Sequence, residues 1–127
     1  MCSLSDRLGE SGPILVVEDD AQVRALASWV LEDEGFNVVA VADGRAAIEA
    51  ARDRRPALIL LDWTLPGANG DSVAAELRKL YDDAIPIVLM TSDGRVAQKA
   101  ARVGAVACFH KPFDVDTLLS SVHQALE

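Results

Sequence analysis

The stretch ILVVEDD, residues 14–20, runs four aliphatic side chains directly into three acidic ones. The stretch LILLD, residues 58–62, repeats this arrangement with a single acid. Each apolar run has the length of a short β-strand. In an open α/β sheet, ligands bind beyond the carboxyl ends of the strands, so these acids are the first candidates for a functional site.

Apolar runs predict five β-strands along the chain. Several runs are apolar at consecutive positions, which is typical of strands that are covered on both faces in a parallel sheet. The predicted strands are residues 14–17, 38–42, 58–61, 87–90 and, more weakly, 106–109.

Between these runs, apolar residues recur with the period of an α-helix, most clearly over residues 23–31. Gly35 can close this first helix, and the side chain of Asp114 can cap the last one. Further helices are predicted at residues 45–52, 73–80, 96–103 and 115–126. The strict alternation predicts an α/β fold with a five-stranded parallel sheet, strand order 2-1-3-4-5, and helices on both faces.

Composition limits the class of protein. The 127 residues fit one domain, with residues 1–12 expected as a flexible N-terminal extension and residues 13–127 as the folded domain. A net charge of −8 without a dense basic run argues against direct contact with nucleic acid or a membrane surface. Cys2 and Cys108 have no metal-ligand spacing, and no stretch approaches the roughly 20 apolar residues of a membrane span. We therefore expect a soluble, cytoplasmic protein.

Polar residues follow four of the five runs at the end where ligands bind. They are Glu18, Asp19 and Asp20 after the first run, Asp62 after the third, Thr91 and Ser92 after the fourth, and Lys111 after the fifth. With strand order 2-1-3-4-5, the first and third strands are neighbours, so their acids converge. Because like charges repel unless a cation lies among them, the cluster favours a divalent metal such as Mg²⁺, whose remaining waters phosphoryl oxygens can replace.

Four motifs together resemble the receiver domains of bacterial two-component response regulators. They are ILVVEDD (14–20), LILLDWTLPGANG (58–70), VLMTS (88–92) and FHKPF (109–113), in this order at the ends of successive strands. The resemblance covers nearly everything after Gly12 and implies a flavodoxin-like (βα)₅ receiver domain over residues 13–127. It also implies a signalling switch that catalyses only its own phosphorylation and dephosphorylation.

The resemblance assigns roles at the predicted site. Asp62 would accept a phosphoryl group from a histidine kinase or a histidine phosphotransfer protein, which gives an aspartyl phosphate. Glu18, Asp19, Asp62 and the backbone carbonyl of Thr64 would hold Mg²⁺ or Mn²⁺. Trp63, next to the acceptor, is expected to be partly exposed and useful as a fluorescence probe.

The same resemblance implies how phosphorylation is sensed. Lys111 would contact one phosphoryl oxygen across a cis Lys111–Pro112 bond, and the hydroxyl of Thr91 would contact another. The face made by the fourth helix, fifth strand and fifth helix would then bind a downstream protein. Cys108 stands where receivers commonly carry an aromatic switch residue, and the segment before Gly104 predicts a short fourth helix.

Two alternatives compete with this interpretation. A pseudo-receiver would be a binding module without phosphorylation, but that class usually lacks the acid pair, the acceptor or the lysine, all of which are present here. A phosphatase of the haloacid dehalogenase type would also form an aspartyl phosphate. Its second catalytic aspartate would stand at position 64, which is Thr64.

Overall fold

The computed structural model describes residues 12–81, 85–92 and 94–126. Nearly all of the predicted extension, residues 1–11, lies outside the described residues. The elements are β1 (Ile14–Val17), α1 (Ala21–Asp33), β2 (Val38–Val41), α2 (Gly44–Asp53), β3 (Leu58–Asp62), β4 (Thr64–Leu65), β5 (Ala68–Asn69), α3 (Gly70–Tyr81), β6 (Ile87–Thr91), α4 (Val96–Val103), β7 (Ala107–His110) and α5 (Val115–Leu126).

Five parallel strands form the main sheet in the order β2-β1-β3-β6-β7. In order along the chain these are the five predicted strands, so the predicted order 2-1-3-4-5 is confirmed. Val17 pairs with Val41 on one side and Leu61 on the other, which brings the ends of β1 and β3 side by side. A small antiparallel hairpin of β4 and β5, in which Thr64 pairs with Asn69, was not predicted.

Side chains of the central strands alternate between two cores, one on each face of the sheet. Strands β1, β3 and β6 are buried along their whole length. Leu15, Ile59 and Leu89 point to the face covered by α2, α3 and α4. Val16 and Leu60 point to the opposite face, which α1 and α5 cover. This burial on both faces explains why these strands are apolar without alternation.

Most element ends lie within two residues of the predicted ones, but α3 starts at Gly70, three residues before the predicted start at residue 73. Strands β3 and β6 each continue one residue beyond the apolar run, to Asp62 and Thr91, because the ladder of backbone hydrogen bonds runs on past the last apolar side chain. The weaker fifth strand starts at Ala107, after Val106, which is 52% exposed. The polar ends of β3 and β6 are therefore held in the sheet itself.

Helix starts are capped unevenly. Asp20, Asp43 and Asp114 accept backbone N–H groups at the starts of α1, α2 and α5, as predicted for Asp114. Helix α4 is the shortest helix in the described ranges, with 8 residues, and follows Arg95 in the left-handed conformation. No helix within residues 12–81, 85–92 and 94–126 combines the length and apolarity that crossing a membrane requires.

Candidate functional site

Glu18 follows β1 and is completely buried. Its two carboxylate oxygens have separate partners: Oε2 accepts the backbone N–H of Asp20 at 3.0 Å, and Oε1 accepts Lys111 Nζ at 2.8 Å. The backbone N–H of Glu18 also donates to the carbonyl of Val41 on the edge strand β2. A buried carboxylate needs such partners, and here they fix its orientation.

The next two acids are exposed and differ in what their side chains do. Asp20 is the N-cap of α1, where its Oδ1 accepts the N–H groups of Gln22 at 2.9 Å and Val23 at 3.2 Å. This capping satisfies N–H groups that the first turn of a helix leaves without partners. Asp19 contributes an oxygen to the acidic cluster with Glu18 and Asp62.

Asp62 ends β3 and is only 2% exposed. Its Oδ1 accepts the backbone N–H of Thr64 at 3.4 Å, a long hydrogen bond that orients the carboxyl group. One oxygen each from Glu18, Asp19 and Asp62 lie within 4.8 Å of one another. A set of carboxylate oxygens suits a hard divalent cation such as Mg²⁺ rather than a soft metal.

The acidic cluster raises the pKa of Asp62, and a bound cation would oppose this rise. Burial, together with the nearby charge of Glu18, raises the pKa of Asp62 from 3.8 to about 7, although Lys111 opposes this rise. An acid in this state keeps its proton in part at neutral pH, because its charged form is poorly solvated. A divalent ion among the three acids would favour the ionised form of Asp62, so the donor set fits a metal.

Lys111 lies between the two buried acids. Its Nζ is 2.8 Å from Glu18 Oε1 and 3.3 Å from Asp62 Oδ2, with the side chain 15% exposed. Burial acts to lower the Lys111 pKa, but the hydrogen bond to Glu18 and the charge of Asp62 outweigh it, so the pKa is raised overall. Lys111 is therefore charged at neutral pH. The Lys111–Pro112 bond is cis, as expected.

Thr91 completes the set at the end of β6. It is fully buried, and its carbonyl accepts the backbone N–H of Lys111 at 2.8 Å. Asp62 pairs with Met90 on β6, so Thr91 is one residue further along at the same edge of the sheet. The structure thus gathers Glu18, Asp19 and Asp62 with Lys111, and it puts Thr91 on the adjoining strand end.

Most of the chain matches a known protein family. Residues 14–123 match the response regulator receiver domain. The chain belongs to this family. Its receiver fold, with five parallel strands covered by helices on both faces, agrees with the fold that the sequence motifs imply.

Individual relatives support the assignment and differ in length. Sporulation initiation phosphotransferase F from Bacillus subtilis is 33% identical over 115 residues, which cover 89% of this receiver chain and 92% of that protein. DNA-binding response regulator MtrA from Mycobacterium tuberculosis is 38% identical over 115 residues, but the matched region is 50% of that protein. The receiver chain therefore spans about half the length of some curated relatives. Since MtrA is named as DNA-binding, the family gives no support to the prediction that nucleic acid is avoided.

Solved receiver structures show the same backbone. The chemotaxis protein CheY4 of Vibrio cholerae superposes with a TM-score of 0.84 at 30% identity, covering 91% of this chain and 98% of that one. NtrX from Brucella abortus gives a TM-score of 0.83 at 33% identity, over 91% of this chain and 27% of that one. This chain thus has the same backbone fold as these two proteins over about nine tenths of its length.

Trp63 corrects one expectation about the receiver site. Its side chain is 8% exposed rather than partly exposed. A Cβ added at Gly70 would lie 3.1 Å from the Trp63 backbone and 3.5 Å from its ring, so a glycine here lets α3 start directly against the indole. Lys99 Nζ on α4 also lies over the ring, 5.4 Å from its centroid. Trp63, the neighbour of Asp62 in the chain, therefore contacts both α3 and α4.

Three further residues of the receiver complete the comparison with the sequence. The side chain of Thr64 is exposed, and the role of its carbonyl as a metal ligand stays a prediction. Cys108 is half-buried and packs against the core under α2, α3 and α4. Sequence reasoning missed Arg24, whose guanidinium donates to the carbonyl of Glu18. The only signal in the sequence was its position six residues after the first acid, near the start of the predicted first helix.

Proposed function

We propose that Asp62 accepts a phosphoryl group from a phosphohistidine of a histidine kinase or a histidine phosphotransfer protein. The observation that carries this proposal is the buried Asp62 carboxyl group at a strand end, paired with Lys111, which also binds the buried Glu18. Exposed acids on a loop have no such surroundings. A carboxylate in this setting is a positioned nucleophile with a neighbouring cation to balance the incoming charge.

The proposed transfer is a substitution at phosphorus. An Asp62 carboxylate oxygen forms a bond to phosphorus while the bond from phosphorus to the histidine nitrogen breaks, and the electron pair stays on that nitrogen. Since the transition state is loose, the protein contributes mainly positioning and charge neutralisation. Two contacts support this positioning role. The backbone N–H of Thr64 donates to Asp62 Oδ1, and the other carboxylate oxygen, Oδ2, faces Lys111.

Glu18, Asp19 and Asp62 would hold Mg²⁺ or Mn²⁺, with the Thr64 carbonyl as a further ligand. The oxygen-only donor set and the raised pKa of Asp62 support this ligand set. When bound, the metal supplies positive charge that favours ionised Asp62 and balances phosphoryl oxygens. Glu18 already has a partner on each oxygen, which keeps its carboxylate oriented toward the cluster.

Lys111 and Thr91 would contact the phosphoryl oxygens of the product. Lys111 Nζ is already 3.3 Å from Asp62 Oδ2, so a small shift of its flexible stem would reach a group attached there. Thr91 lies on the neighbouring strand end and is buried, so its movement would be felt by the segment that leads to α4. These contacts would favour one conformation of that segment after phosphorylation.

The face of α4, β7 and α5 would then present the changed conformation to a downstream protein. Val106 and Val115, which flank β7, are 52% and 44% exposed, and such apolar side chains are usual in a protein interface. Half-buried Cys108 cannot provide the usual aromatic switch side chain. Because position 64 is Thr64 rather than a second catalytic aspartate, we propose a switch rather than an enzyme that turns over a separate small substrate.

The test is metal-dependent modification of Asp62. In a Trp29→Phe background, which removes the 67% exposed indole of α1, Trp63 fluorescence should respond to Mg²⁺ and then to beryllofluoride or acetyl phosphate. Mass spectrometry after acetyl phosphate should show one added phosphoryl group. The Asp62→Asn variant should show none.

Two results would remove the proposal. The first is no added phosphoryl group on the wild-type protein under any divalent metal. The second is equal phosphorylation of the Asp62→Asn variant, which would put the acceptor elsewhere. A response to Mg²⁺ with no phosphorylation would instead support a pseudo-receiver that binds metal.

A further inference from the structure

Arg24 lies on α1, one turn after its N-cap, and reaches back to the turn that carries the first acids. Its Nη1 donates to the carbonyl of Glu18 at 3.0 Å and, more weakly, to the carbonyl of Asp19 at 3.4 Å. We propose that Arg24 is a positioning residue for the metal site, because it holds the backbone from which both ligands project. This inference rests on the proposed binding of Mg²⁺ by these acids.

The turn after β1 is fixed by side chains at all but one of its residues. Glu18 is held through its own carboxylate, by the N–H of Asp20 and by Lys111. Asp20 is held by capping α1. The carboxylate of Asp19 is exposed, so its position depends on how firmly its backbone is held. The longer hydrogen bond from Arg24 acts at that point.

Arginine suits this task for two reasons. Its planar, permanently charged group can serve two carbonyl oxygens from one nitrogen, whereas a lysine offers a mobile point charge. It also brings positive charge into a turn that contains three consecutive acids, 18–20. Both effects would lower the free energy of gathering Glu18 and Asp19 before the metal arrives, so less of the binding energy is spent on ordering the site.

The helix gives Arg24 a fixed base. Its backbone N–H donates to the carbonyl of Asp20 at 2.9 Å in the first turn of α1. Its carbonyl accepts the hydroxyl of Ser28 at 2.8 Å, one turn further on. Ser28 therefore touches the same helix turn without touching the acids, which makes Ser28→Ala a matched control for a general disturbance of α1.

The experiment measures Mg²⁺ affinity and folding separately. Mg²⁺ is titrated into Arg24→Gln and Arg24→Lys, each in the Trp29→Phe background, with Trp63 fluorescence as the readout. Thermal unfolding in EDTA reports the fold without metal. Changes to residues that support metal ligands weaken metal binding by about 10–100-fold, so we expect Arg24→Gln to weaken Mg²⁺ binding by about tenfold. Arg24→Lys should recover part of this loss but still bind Mg²⁺ more than about twofold less tightly than the parent, and Ser28→Ala should bind Mg²⁺ like the parent.

A merely structural role predicts a different pattern. A lower melting temperature in EDTA with an Mg²⁺ dissociation constant within twofold of the parent, in either Arg24 variant that folds, would overturn the inference. If Arg24→Gln does not fold, Arg24→Lys decides on the same criterion. Failure of the parent protein itself to bind either Mg²⁺ or Mn²⁺ would overturn the proposed metal site as well, which separates the two failures.

Discussion

The starts of α1 and α4 lie at the same edge of the sheet and are built in opposite ways. Helix α1 begins at Asp20, whose side chain accepts two backbone N–H groups, beside the buried carboxylate of Glu18. Helix α4 follows Arg95, which has a φ of 61° and forms no capping hydrogen bond through its side chain among the described residues. The first start is fixed by charge and hydrogen bonds, and the second is not.

This difference separates the site of chemistry from the element that would respond to it. Metal and phosphoryl ligands need oxygens held within a few tenths of an ångström, which the α1 start provides. A responding helix needs two conformations of similar free energy, which a short, uncapped helix provides more readily than a long, capped one. The predictions at Lys111, Asp62 and Arg95 below test the two sides of this contrast, and the prediction at Asp43 measures the contribution of an N-cap on another helix.

The largest effect is expected from removing the positive charge of Lys111, which pairs with the buried acids beside the start of α1. Lys111→Met leaves Glu18 and Asp62 buried without their positive partner. Breaking a buried ion pair from one side should lower the free energy of unfolding by about 3 kcal/mol in EDTA. Urea unfolding at pH 8 measures this loss.

The control for that loss is Lys79→Met, since Lys79 forms an exposed pair with Glu76. This substitution should lower the free energy of unfolding by well under about 1 kcal/mol. Equal stability of the two lysine variants would show that burying Glu18 and Asp62 does not require the charge of Lys111.

The next effect concerns pH and follows from the pKa of Asp62, which is about 7 in the folded protein and 3.8 as a reference. The folded state then binds more protons than the unfolded state between these values. Stability contributed by protonated Asp62 is complete below about pH 4 and is lost as the pH rises through 7. In EDTA, the free energy of unfolding should fall by about 2 kcal/mol more between pH 5 and 8 than in Asp62→Asn.

Urea unfolding of both proteins across this pH range provides the measurement. Saturating Mg²⁺ should remove the difference, because a bound cation favours the ionised form of Asp62. A stability that rises with pH in the parent but not in Asp62→Asn would mean that Lys111, rather than burial and Glu18, dominates the pKa of Asp62.

A smaller effect is expected at the cap of another helix. Asp43 accepts the backbone N–H of Ala46 at 2.8 Å at the start of α2, away from the acidic cluster. Asp43→Ala should lower the free energy of unfolding by about 1 kcal/mol, the usual cost of losing an N-cap. Thermal unfolding measures it, and Asp43→Asn, which keeps an accepting oxygen, should retain most of the stability. Equal losses in both variants would point to charge rather than capping.

Much of this contrast could be predicted from the sequence where local signals are strong. The predicted bounds of β1, α4 and α5 agree with the structure, since an apolar pattern stops at a proline, glycine or charged residue at each end. Acids after apolar runs placed Glu18, Asp19 and Asp62 at one edge, because strand order alone brings those ends together. These were short-range patterns plus one rule of topology.

Other features depend on contacts that no pattern carries. The β4–β5 hairpin has two residues in each strand, too few to show a period. Burial of Trp63 arises from Gly70 and Lys99 meeting it from two helices. The contact of Arg24 with the acidic turn depends on its side chain reaching back past the start of α1. The spacing in the chain suggests this contact but does not establish it.

The smallest expected effect concerns the start of α4 directly. Arg95 is exposed and holds a left-handed conformation that glycine adopts without steric cost. Arg95→Gly should therefore raise the free energy of unfolding by about 0.5 kcal/mol, since relief of the strain exceeds the extra entropy of glycine in the unfolded chain. Arg95→Ala removes the same side chain but keeps a Cβ, so it should bring no gain. Urea unfolding of the pair, with amide hydrogen exchange along α4, separates backbone relief from loss of the arginine. An equal gain in both variants would assign the effect to the side chain and leave α4 no looser at its start than α1.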